Sequence, residues 1–221
     1  MTITSPASGS FAAGSVCILA GFVLWRIDEP SPRHYCGARM PKAKAQVLRR
    51  ARRIKVLLMD VDGVLTDGSV ILQSLPDGTA QELKVFNAYD GAGLKLARLA
   101  GLRTGVVTGR ESPAMTVRAR ELDMEFVYQG RFRKLAAYEQ ILRRAGVRDA
   151  EVAYIADDLP DLPVLARVGL AIAVANAAPE VKRAAHYVTK TPGGRGAVRE
   201  VVELLLKAQR RWAQAIQKAH G

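Results

Sequence analysis

Short apolar runs alternate with helix-like segments along most of this chain, and this alternation constrains the fold more than any other feature. The apolar runs cover residues 54–59, 104–107, 126–128, 152–155 and 170–174. The segments with helical character cover residues 92–100, 113–122, 134–145 and 159–166. Strands that alternate with helices form a parallel sheet covered by those helices. We therefore predict an α/β fold, a Rossmann-like parallel sheet with helices on both faces.

Two local signals add detail to this architecture. Residues 70–86 interrupt the alternation, and the sequence Pro76-Asp77-Gly78 in their middle is typical of a tight turn. This segment predicts a β-hairpin that projects from the sheet. Farther along, Ser112 followed by Pro113 predicts a helix start, with the serine side chain as its cap.

The first 39 residues differ from the rest of the chain. Their apolar run at 11–25 is short for a membrane span, and no basic residue precedes it as in a signal peptide. A disordered extension, a translation start assigned too early and a membrane anchor stay open, with the anchor least favoured. A chain of 221 residues suffices for one ordinary core. We place the domain at residues 40–206, after the extension at 1–39 and before a helical basic tail at 207–221.

The formal charge of +12 and the positions of cysteine and histidine exclude several kinds of chemistry. No nucleic-acid-binding motif accompanies the charge, so we expect neither a nucleic-acid nor a membrane partner, and a cytoplasmic location. Cys17 and Cys36 both precede the domain, which excludes thiol chemistry within it. The three histidines have no adjacent nucleophile signature, which disfavours a serine–histidine mechanism. Any acid–base catalysis must therefore come from carboxylates.

Polar residues follow the predicted strands at the positions where a ligand would bind. In an open α/β sheet, ligands lie beyond the carboxyl ends of the strands. The residues at these positions are Asp60, Asp62, Thr108, Arg110, Lys134, Asp157, Asp158 and Asp161. Each motif alone has a plainer explanation, such as a turn, a helix cap or a solvated helix residue. Their occurrence in order at successive strand ends favours one shared site.

This set of carboxylates suits phosphoryl chemistry with a divalent cation. Carboxylates from two strands can form an oxygen site that suits Mg²⁺, which also keeps positions for water and phosphate. Asp60 could attack phosphorus and form an aspartyl-phosphate, while Asp62 protonates the leaving oxygen and later activates water. Lys134 could neutralise charge near Asp60, and Thr108 could donate a hydrogen bond to a phosphate oxygen. The sequence thus predicts a magnesium-dependent phosphomonoester hydrolase.

These motifs resemble those of the haloacid dehalogenase superfamily of phosphatases. The resemblance rests on residues 60–68, on Thr108 and Lys134, and on Asp157 and Asp158 with Asp161. Segments 86–91, 128–130 and 193–200 resemble the branch that acts on phosphorylated octulosonic sugar acids, and the similarity covers about residues 42–210. The resemblance implies that the substrate is a small phosphorylated sugar acid of lipopolysaccharide biosynthesis, foremost 3-deoxy-D-manno-octulosonate 8-phosphate.

The resemblance also implies which residues bind the metal ion and which bind the substrate. Mg²⁺ would be held by Asp60, Asp157 and the backbone carbonyl of Asp62. The substrate would be contacted by Asp62, Asn87, Ala88, Tyr89, Asp90, Gly91, Lys95, Arg110, Arg118 and Lys134. Two positions depart from the family pattern. Lys95 stands where relatives commonly have arginine, whose planar fork lysine lacks, and Ala156 stands where glycine is usual.

The spacing of the motifs leaves no room for a cap domain. Asp60 and Thr108 are 48 positions apart, and Lys134 and Asp157 are 23 apart. An uncapped site is open, and suits a macromolecular substrate or an oligomer whose neighbour supplies the lid. The resemblance implies a homotetramer assembled through the hairpin. Arg195, in the glycine-rich segment 193–196, would reach a neighbouring site or else belong to a plain linker.

Three other functions stay open. A phosphatase of the same chemistry could act on another sugar-acid phosphate, such as a nonulosonate 9-phosphate, because catalytic motifs do not specify the substrate. A noncatalytic module is disfavoured because all the predicted catalytic carboxylates and Lys134 are present. A nucleic-acid end phosphatase or RNA-binding module is suggested by the basic stretch 47–53 and the basic C-terminus, and salt-dependent binding would identify it.

Overall fold

The computed structural model describes residues 42–220, so the predictions for the extension lie outside the described residues. In chain order the strands are β1 (Val56–Met59), β2 (Ile71–Ser74), β3 (Ala80–Leu83), β4 (Arg103–Val107), β5 (Phe126–Tyr128), β6 (Val152–Ala156), β7 (Leu170–Ala173) and β8 (Tyr187–Val188). The helices are α1 (Lys42–Ala51), α2 (Ala88–Leu99), α3 (Pro113–Glu121), α4 (Lys134–Ala145), α5 (Leu162–Leu165), α6 (Pro179–Ala184), α7 (Ala197–Ala208) and α8 (Trp212–His220).

Six of the strands form one parallel sheet in the order β5-β4-β1-β6-β7-β8. The central strand β1 pairs in parallel with β4, aligning Val56 with Arg103, and with β6, aligning Val56 with Val152. Every residue of β1 is buried, as expected for a parallel strand covered on both faces. Helices flank this sheet, which confirms the predicted α/β fold.

The structure refines the predicted elements in three places. α2 begins at Ala88, before the predicted start, because the side chain of Asn87 caps it by accepting hydrogen bonds from two backbone N–H groups. α3 begins at Pro113 as predicted, but the side chain of Ser112 makes no capping hydrogen bond, so that part of the prediction is wrong. The short elements α6 and β8 were not predicted, because segments of six and two residues carry little periodicity.

The two C-terminal helices belong to the packed domain. α7 packs against α1 and α2, and α8 packs against α2 and α7. The buried residues of α7 recur at helical spacing and form one apolar face, made of Ala197, Val198, Val201, Val202, Leu205 and Leu206. Ala215 of α8 is also fully buried, so the segment after residue 206 contributes to the core. Between residues 42 and 220, no helix is long and apolar enough to cross a membrane.

β2 and β3 form a separate antiparallel hairpin, which confirms the predicted one. Its turn is ordered by Asp77, whose Oδ1 accepts hydrogen bonds from the N–H and the hydroxyl of Thr79 at 3.0 and 2.6 Å. The exposed apolar side chains on and beside this ribbon are Val70, Ile71, Leu72, Leu83 and Val85. A two-stranded ribbon is marginally stable alone in water, so contacts outside it must hold it in place.

Candidate active site

The segments that follow β1, β4 and β6 meet the first turn of α4 at the carboxyl edge of the sheet. They surround an open cleft of about 330 Å³, at which the largely exposed ring of Phe132 also lies. The lining residues that the sequence predicted are Asp60, Asp62, Thr108, Arg110, Lys134, Asp157 and Asp158. The structure therefore brings the four motifs together at one site, because parallel strands place their carboxyl ends at one edge.

Asp60 and Lys134 form a buried ion pair at the floor of this cleft. Lys134 Nζ lies 2.9 Å from Asp60 Oδ2 and 2.8 Å from Asp161 Oδ1. The other oxygen of Asp60 accepts a hydrogen bond of 2.7 Å from the N–H of Val61. Burial raises the pKa of Asp60, against the lowering effect of Lys134. Burial would lower the pKa of Lys134, but Asp60 and Asp161 raise it, so the lysine stays charged.

Three carboxylates converge beside this ion pair. Oxygens of Asp60, Asp157 and Asp161 all lie within 4.8 Å of one another. Asp157 Oδ1 and Asp161 Oδ2 are buried and have no hydrogen-bond partner among residues 42–220. Burial, followed by the charges of Asp60 and Asp161, raises the pKa of Asp157 to about 7. Since buried carboxylate oxygens without partners are costly, this donor set fits a divalent cation such as Mg²⁺.

Close backbone packing holds Asp157 and Asp161 in this cluster. A Cβ atom at Gly63 would lie 2.0 Å from Asp157 Oδ2, and its φ of +85° also favours glycine, so this motif position has no room for a side chain. Tyr154 donates a hydrogen bond of 2.7 Å to Asp161 Oδ1 from within the sheet.

Asp161 was predicted as part of the fourth motif, but its contact with Lys134 was not predicted. Asp158 precedes the turn Leu159–Asp161 without a capping hydrogen bond from its side chain.

Asp62 belongs to a second charged group, which joins the site to the hairpin. Lys84 forms ion pairs with Asp62 Oδ1 and, at 2.8 Å, with Glu82 Oε1. Arg110 forms an ion pair with Glu82, and its Nε lies 3.9 Å from Asp62 Oδ2. We call these four residues the hairpin network. Glu82 and Lys84 were not predicted from the sequence. Their i, i+2 spacing, at and just after the end of β3, was the one local pattern that could have indicated them.

Thr108 lies at the end of β4, with its backbone fixed on both sides. Its N–H donates to the carbonyl of Tyr128 at 2.9 Å, and its carbonyl accepts from the N–H of Arg131 at 2.9 Å. The residue is 3% exposed and lines the cleft that contains Asp60. Its hydroxyl therefore lies on a fixed strand end beside the cleft, and its hydrogen bond to a phosphate oxygen stays a prediction.

Residues 87–91 form the first turn of α2, and most of their polar groups serve that turn. Asn87 is the helix cap, Ala88 is the first helical residue, and Tyr89 is exposed. Asp90 is 1% exposed and accepts hydrogen bonds from the N–H groups of Gly196 and Arg199, at 3.2 and 2.8 Å, at the start of α7. In this chain Asp90 therefore joins two helices rather than facing the cleft.

Gly91, Lys95 and Arg118 lie outside the lining of the cleft. A Cβ atom at Gly91 would lie 2.3 Å from Arg118 Nη2, so the guanidinium packs directly on this glycine. Arg118 also forms a 2.8 Å ion pair with Glu121. Lys95 is exposed on α2, beside a groove formed with α8. Contacts of these side chains with a substrate stay a prediction.

The glycine-rich segment 193–196 packs against the loop that follows β1. A Cβ atom at Gly193 would lie 1.7 Å from the carbonyl oxygen of Gly63. The N–H of Gly194 donates to the carbonyl of Val64 at 2.9 Å. Arg195 lies largely exposed, with Nη2 3.5 Å from Asp67 Oδ2 of the same loop. The segment is therefore a packed support for the first motif, and Arg195 lies on its surface.

Comparison with known proteins agrees with this geometry. A family model described as haloacid dehalogenase-like hydrolase matches residues 111–201. The 3-deoxy-D-manno-octulosonate 8-phosphate phosphatase of Yersinia pestis is 44% identical over 163 residues, 74% of this chain and 85% of that protein. Its crystal structure has a TM-score of 0.72 and 43% identity, covering 76% of this chain and 89% of that one.

A second solved structure, the corresponding phosphatase of Moraxella catarrhalis in complex with magnesium ion, phosphate ion and KDO, has a TM-score of 0.74 and 38% identity. The match covers 79% of this chain and 98% of that one. This chain therefore belongs to the haloacid dehalogenase-like hydrolases. It is a phosphoric monoester hydrolase, and the carboxyl edge of its sheet carries a cluster of three carboxylates that could hold a metal ion.

Proposed function

We propose that this enzyme hydrolyses 3-deoxy-D-manno-octulosonate 8-phosphate to the free sugar acid and phosphate, through an aspartyl-phosphate on Asp60 and with Mg²⁺. The observation that carries the proposal is the buried Asp60–Lys134 pair, beside carboxylate oxygens of Asp157 and Asp161 that have no hydrogen-bond partner in the described part of the chain. The names of the Yersinia and Moraxella proteins support the choice of substrate.

In the first step, the carboxylate of Asp60 attacks phosphorus, and the bond from phosphorus to the sugar oxygen breaks. Lys134 and the N–H of Val61 each hold one oxygen of Asp60, which fixes the direction of attack. Asp62 gives its proton to the departing oxygen, so the sugar acid leaves as an alcohol. Thr108 donates a hydrogen bond to the transferring group, and Lys134 reduces its negative charge.

In the second step, Asp62 takes a proton from a water molecule, which attacks the phosphorus of the aspartyl-phosphate. The bond to Asp60 breaks, phosphate leaves, and Asp62 is again protonated for the next cycle. Asp60 and Asp157, with Asp161 in the same cluster and the Asp62 carbonyl as a further ligand, would hold Mg²⁺. When bound, the cation offsets the repulsion between the phosphate and the carboxylates.

A phosphate-release screen tests this function. The purified protein is incubated with 3-deoxy-D-manno-octulosonate 8-phosphate, a nonulosonate 9-phosphate, simple sugar phosphates and nucleotides, each with Mg²⁺ and with EDTA. We expect the octulosonate to give the highest kcat/KM, and EDTA to abolish release. A higher kcat/KM for another phosphate ester would contradict the proposed substrate, and full activity in EDTA would contradict the metal requirement.

We also propose that the enzyme works as a homotetramer assembled through the hairpin. The exposed apolar side chains of that ribbon would become buried against other copies, and neighbouring chains would cover the open cleft. Gel filtration with light scattering should show a tetramer, whereas a fully active monomer at assay concentration would contradict this assembly. Arg195→Ala tests a shared site, since an unchanged kcat/KM would remove that residue from it. A cytoplasmic location stays a prediction.

A further inference from the structure

The side chain of Lys84 is buried, although Lys84 directly follows the largely exposed ribbon of β2 and β3. Its side chain is 3% exposed, whereas every residue of β2 is exposed. Removing an ammonium group from water costs several kcal/mol unless opposite charges and hydrogen bonds replace the water. The position of Lys84 must therefore be set by the groups it meets.

The groups around Lys84 form a balanced set. The hairpin network contains two carboxylates, Asp62 and Glu82, and two cations, Lys84 and Arg110. Lys84 lies between the two carboxylates, and Arg110 contacts Glu82 from the other side. The ammonium of Lys84, followed by the guanidinium of Arg110, lowers the pKa of Glu82 to about 2. Glu82 is therefore a carboxylate at neutral pH, and it anchors both cations.

Each of the two proposed catalytic aspartates is therefore ion-paired with a different lysine: Asp60 with Lys134, and Asp62 with Lys84. Lys134 from α4 contacts Asp60 and does not contact Asp62 in the described ion pairs. Lys84 contacts Asp62 Oδ1, and Arg110 approaches Asp62 Oδ2. Asp62 lies in a loop and has no other recorded side-chain partner among residues 42–220. Its orientation therefore depends on Lys84 more than on any other residue.

We propose that Lys84, anchored by Glu82, is a positioning residue that holds the Asp62 carboxyl group toward the oxygen that leaves phosphorus. This inference rests on the proposed mechanism, in which Asp62 transfers the proton. Lys84 keeps its own protons throughout both steps and only orients its neighbour. The hairpin therefore contributes to catalysis in its own chain, in addition to any contact with other copies.

The loss expected on removing Lys84 depends on the leaving group. A sugar alkoxide needs a proton as it departs, and misplacing the donor by about 1 Å can cost ~10²-fold. p-Nitrophenolate leaves without protonation, so its departure depends little on Asp62. Lys84→Met should therefore slow release of the leaving group in the first turnover about 10²-fold with the sugar phosphate, and much less with p-nitrophenyl phosphate. The first turnover is the quantity to compare, because the second step uses Asp62 as a base with either ester. KM should change less than kcat on the sugar phosphate.

The experiment compares Lys84→Met, Lys84→Arg and Lys55→Met in the full chain with Mg²⁺. Lys84→Arg keeps the charge and should lose less activity than Lys84→Met on the sugar phosphate. Lys55→Met is the matched control, because Lys55 is also ion-paired, with Glu151 at 2.7 Å, but lies before β1. It should retain wild-type kcat on both esters. Thermal melting confirms that each variant is folded.

Two outcomes would overturn the inference. Equal losses of the first-turnover rate with both esters would make Lys84 a general structural residue, and a raised KM with unchanged kcat would make it a substrate contact. If the preferred substrate is another alkyl phosphate, the same comparison is made with that ester. The test of Lys84 therefore does not depend on which alkyl phosphate the enzyme prefers. A wild-type protein that hydrolyses neither ester would overturn the proposed function and, with it, this inference.

Discussion

The two edges of the parallel sheet use polar side chains in opposite ways. At the amino edge, side chains tie loops together: Gln209 Nε2 donates to the carbonyls of Ala51 and Ile54 at 3.0 and 2.8 Å, and Arg50 donates to the carbonyl of Gly169 at 2.6 Å. At the carboxyl edge, Asp60, Asp157 and Asp161 converge on one another, and two of their oxygens lack hydrogen-bond partners within the region that the structure describes.

This contrast separates stability from function within one sheet. Hydrogen bonds between side chains and loop carbonyls stabilise the folded state, since they satisfy buried acceptors. Clustered buried carboxylates destabilise it until a cation is bound, which is expected where a site is organised for a ligand. Substitutions at the carboxyl edge should therefore change activity most, and substitutions at the amino edge should change stability alone.

The largest expected effect is at the carboxyl edge. Asp60→Asn removes the nucleophile and a metal ligand together, so phosphate release should fall at least about 10⁴-fold. Asp123→Asn is a suitable control, because asparagine also tolerates the left-handed φ of 51° found there. Phosphate release by both purified variants checks the prediction. Activity near that of wild type in Asp60→Asn would contradict the assignment of catalysis to the carboxyl edge.

Asp157→Asn should separate activity from stability in one variant. Removing one of three crowded carboxylates relieves charge repulsion, so the protein in EDTA should melt at a higher temperature than wild type. The same change should abolish the increase in Tm that Mg²⁺ gives the wild type. Calorimetry in EDTA and in Mg²⁺ measures both effects. A lower Tm in EDTA would show that the cluster stabilises the fold.

Gln209→Ala should have the reverse pattern at the amino edge. It leaves the carbonyls of Ala51 and Ile54 without this donor, in residues that are 0% and 2% exposed. The free energy of unfolding should fall by about 1–3 kcal/mol. Urea unfolding gives that value, and kcat measured on the folded variant should equal that of wild type. A large loss of kcat would show that the two edges are coupled.

The smallest effect is a pH dependence at the amino edge. His186 Nδ1 accepts a hydrogen bond of 2.9 Å from the N–H of Ala171, and burial, followed by Arg50, lowers the pKa of His186. The unfolded chain therefore takes up this proton first as pH falls, so the stabilisation is present above pH ~6.5 and is lost below it. His186→Asn keeps an acceptor without titrating.

Urea unfolding of wild type and His186→Asn at pH 7.5 and pH 5.5 measures this difference. The wild type should lose more stability than the variant as the pH is lowered. Equal losses in the two proteins would mean that other groups cause the pH dependence, and would remove His186 from the set of residues that stabilise the amino edge.

The sequence predicted the parts of the site that local patterns encode. Apolar runs locate the strands, and strand ends locate Asp60, Thr108 and Asp157, because a parallel sheet brings its carboxyl ends together. Lys134 was predicted from its place after the third strand. The turn residues Pro76, Asp77 and Gly78 predicted the hairpin.

Other contacts could not be predicted, because they join segments with no shared pattern. Lys84 contacts Asp62 although the two residues are 22 positions apart in the sequence. Asp90 accepts hydrogen bonds at the start of α7 from residues more than 100 positions away, and no local pattern indicates this contact. The prediction that Asp90 contacts the substrate came from the resemblance alone. The packing of Gly193 on Gly63 likewise appears only when both loops are folded. Such long-range contacts depend on tertiary geometry, which local sequence does not specify.

Transfer of the phosphoryl group to Asp60 is tested most directly by trapping it. Wild type and Asp62→Asn are mixed with Mg²⁺ and p-nitrophenyl phosphate, whose leaving group needs no proton, so that only the second step should be slow in the variant. The samples are quenched in acid within one turnover, digested, and mapped by mass spectrometry. The mechanism predicts a phosphorylated peptide with the phosphate on Asp60, more abundant in Asp62→Asn than in wild type. Phosphate release without any phosphorylated peptide, together with an active Asp60→Asn variant, would contradict it.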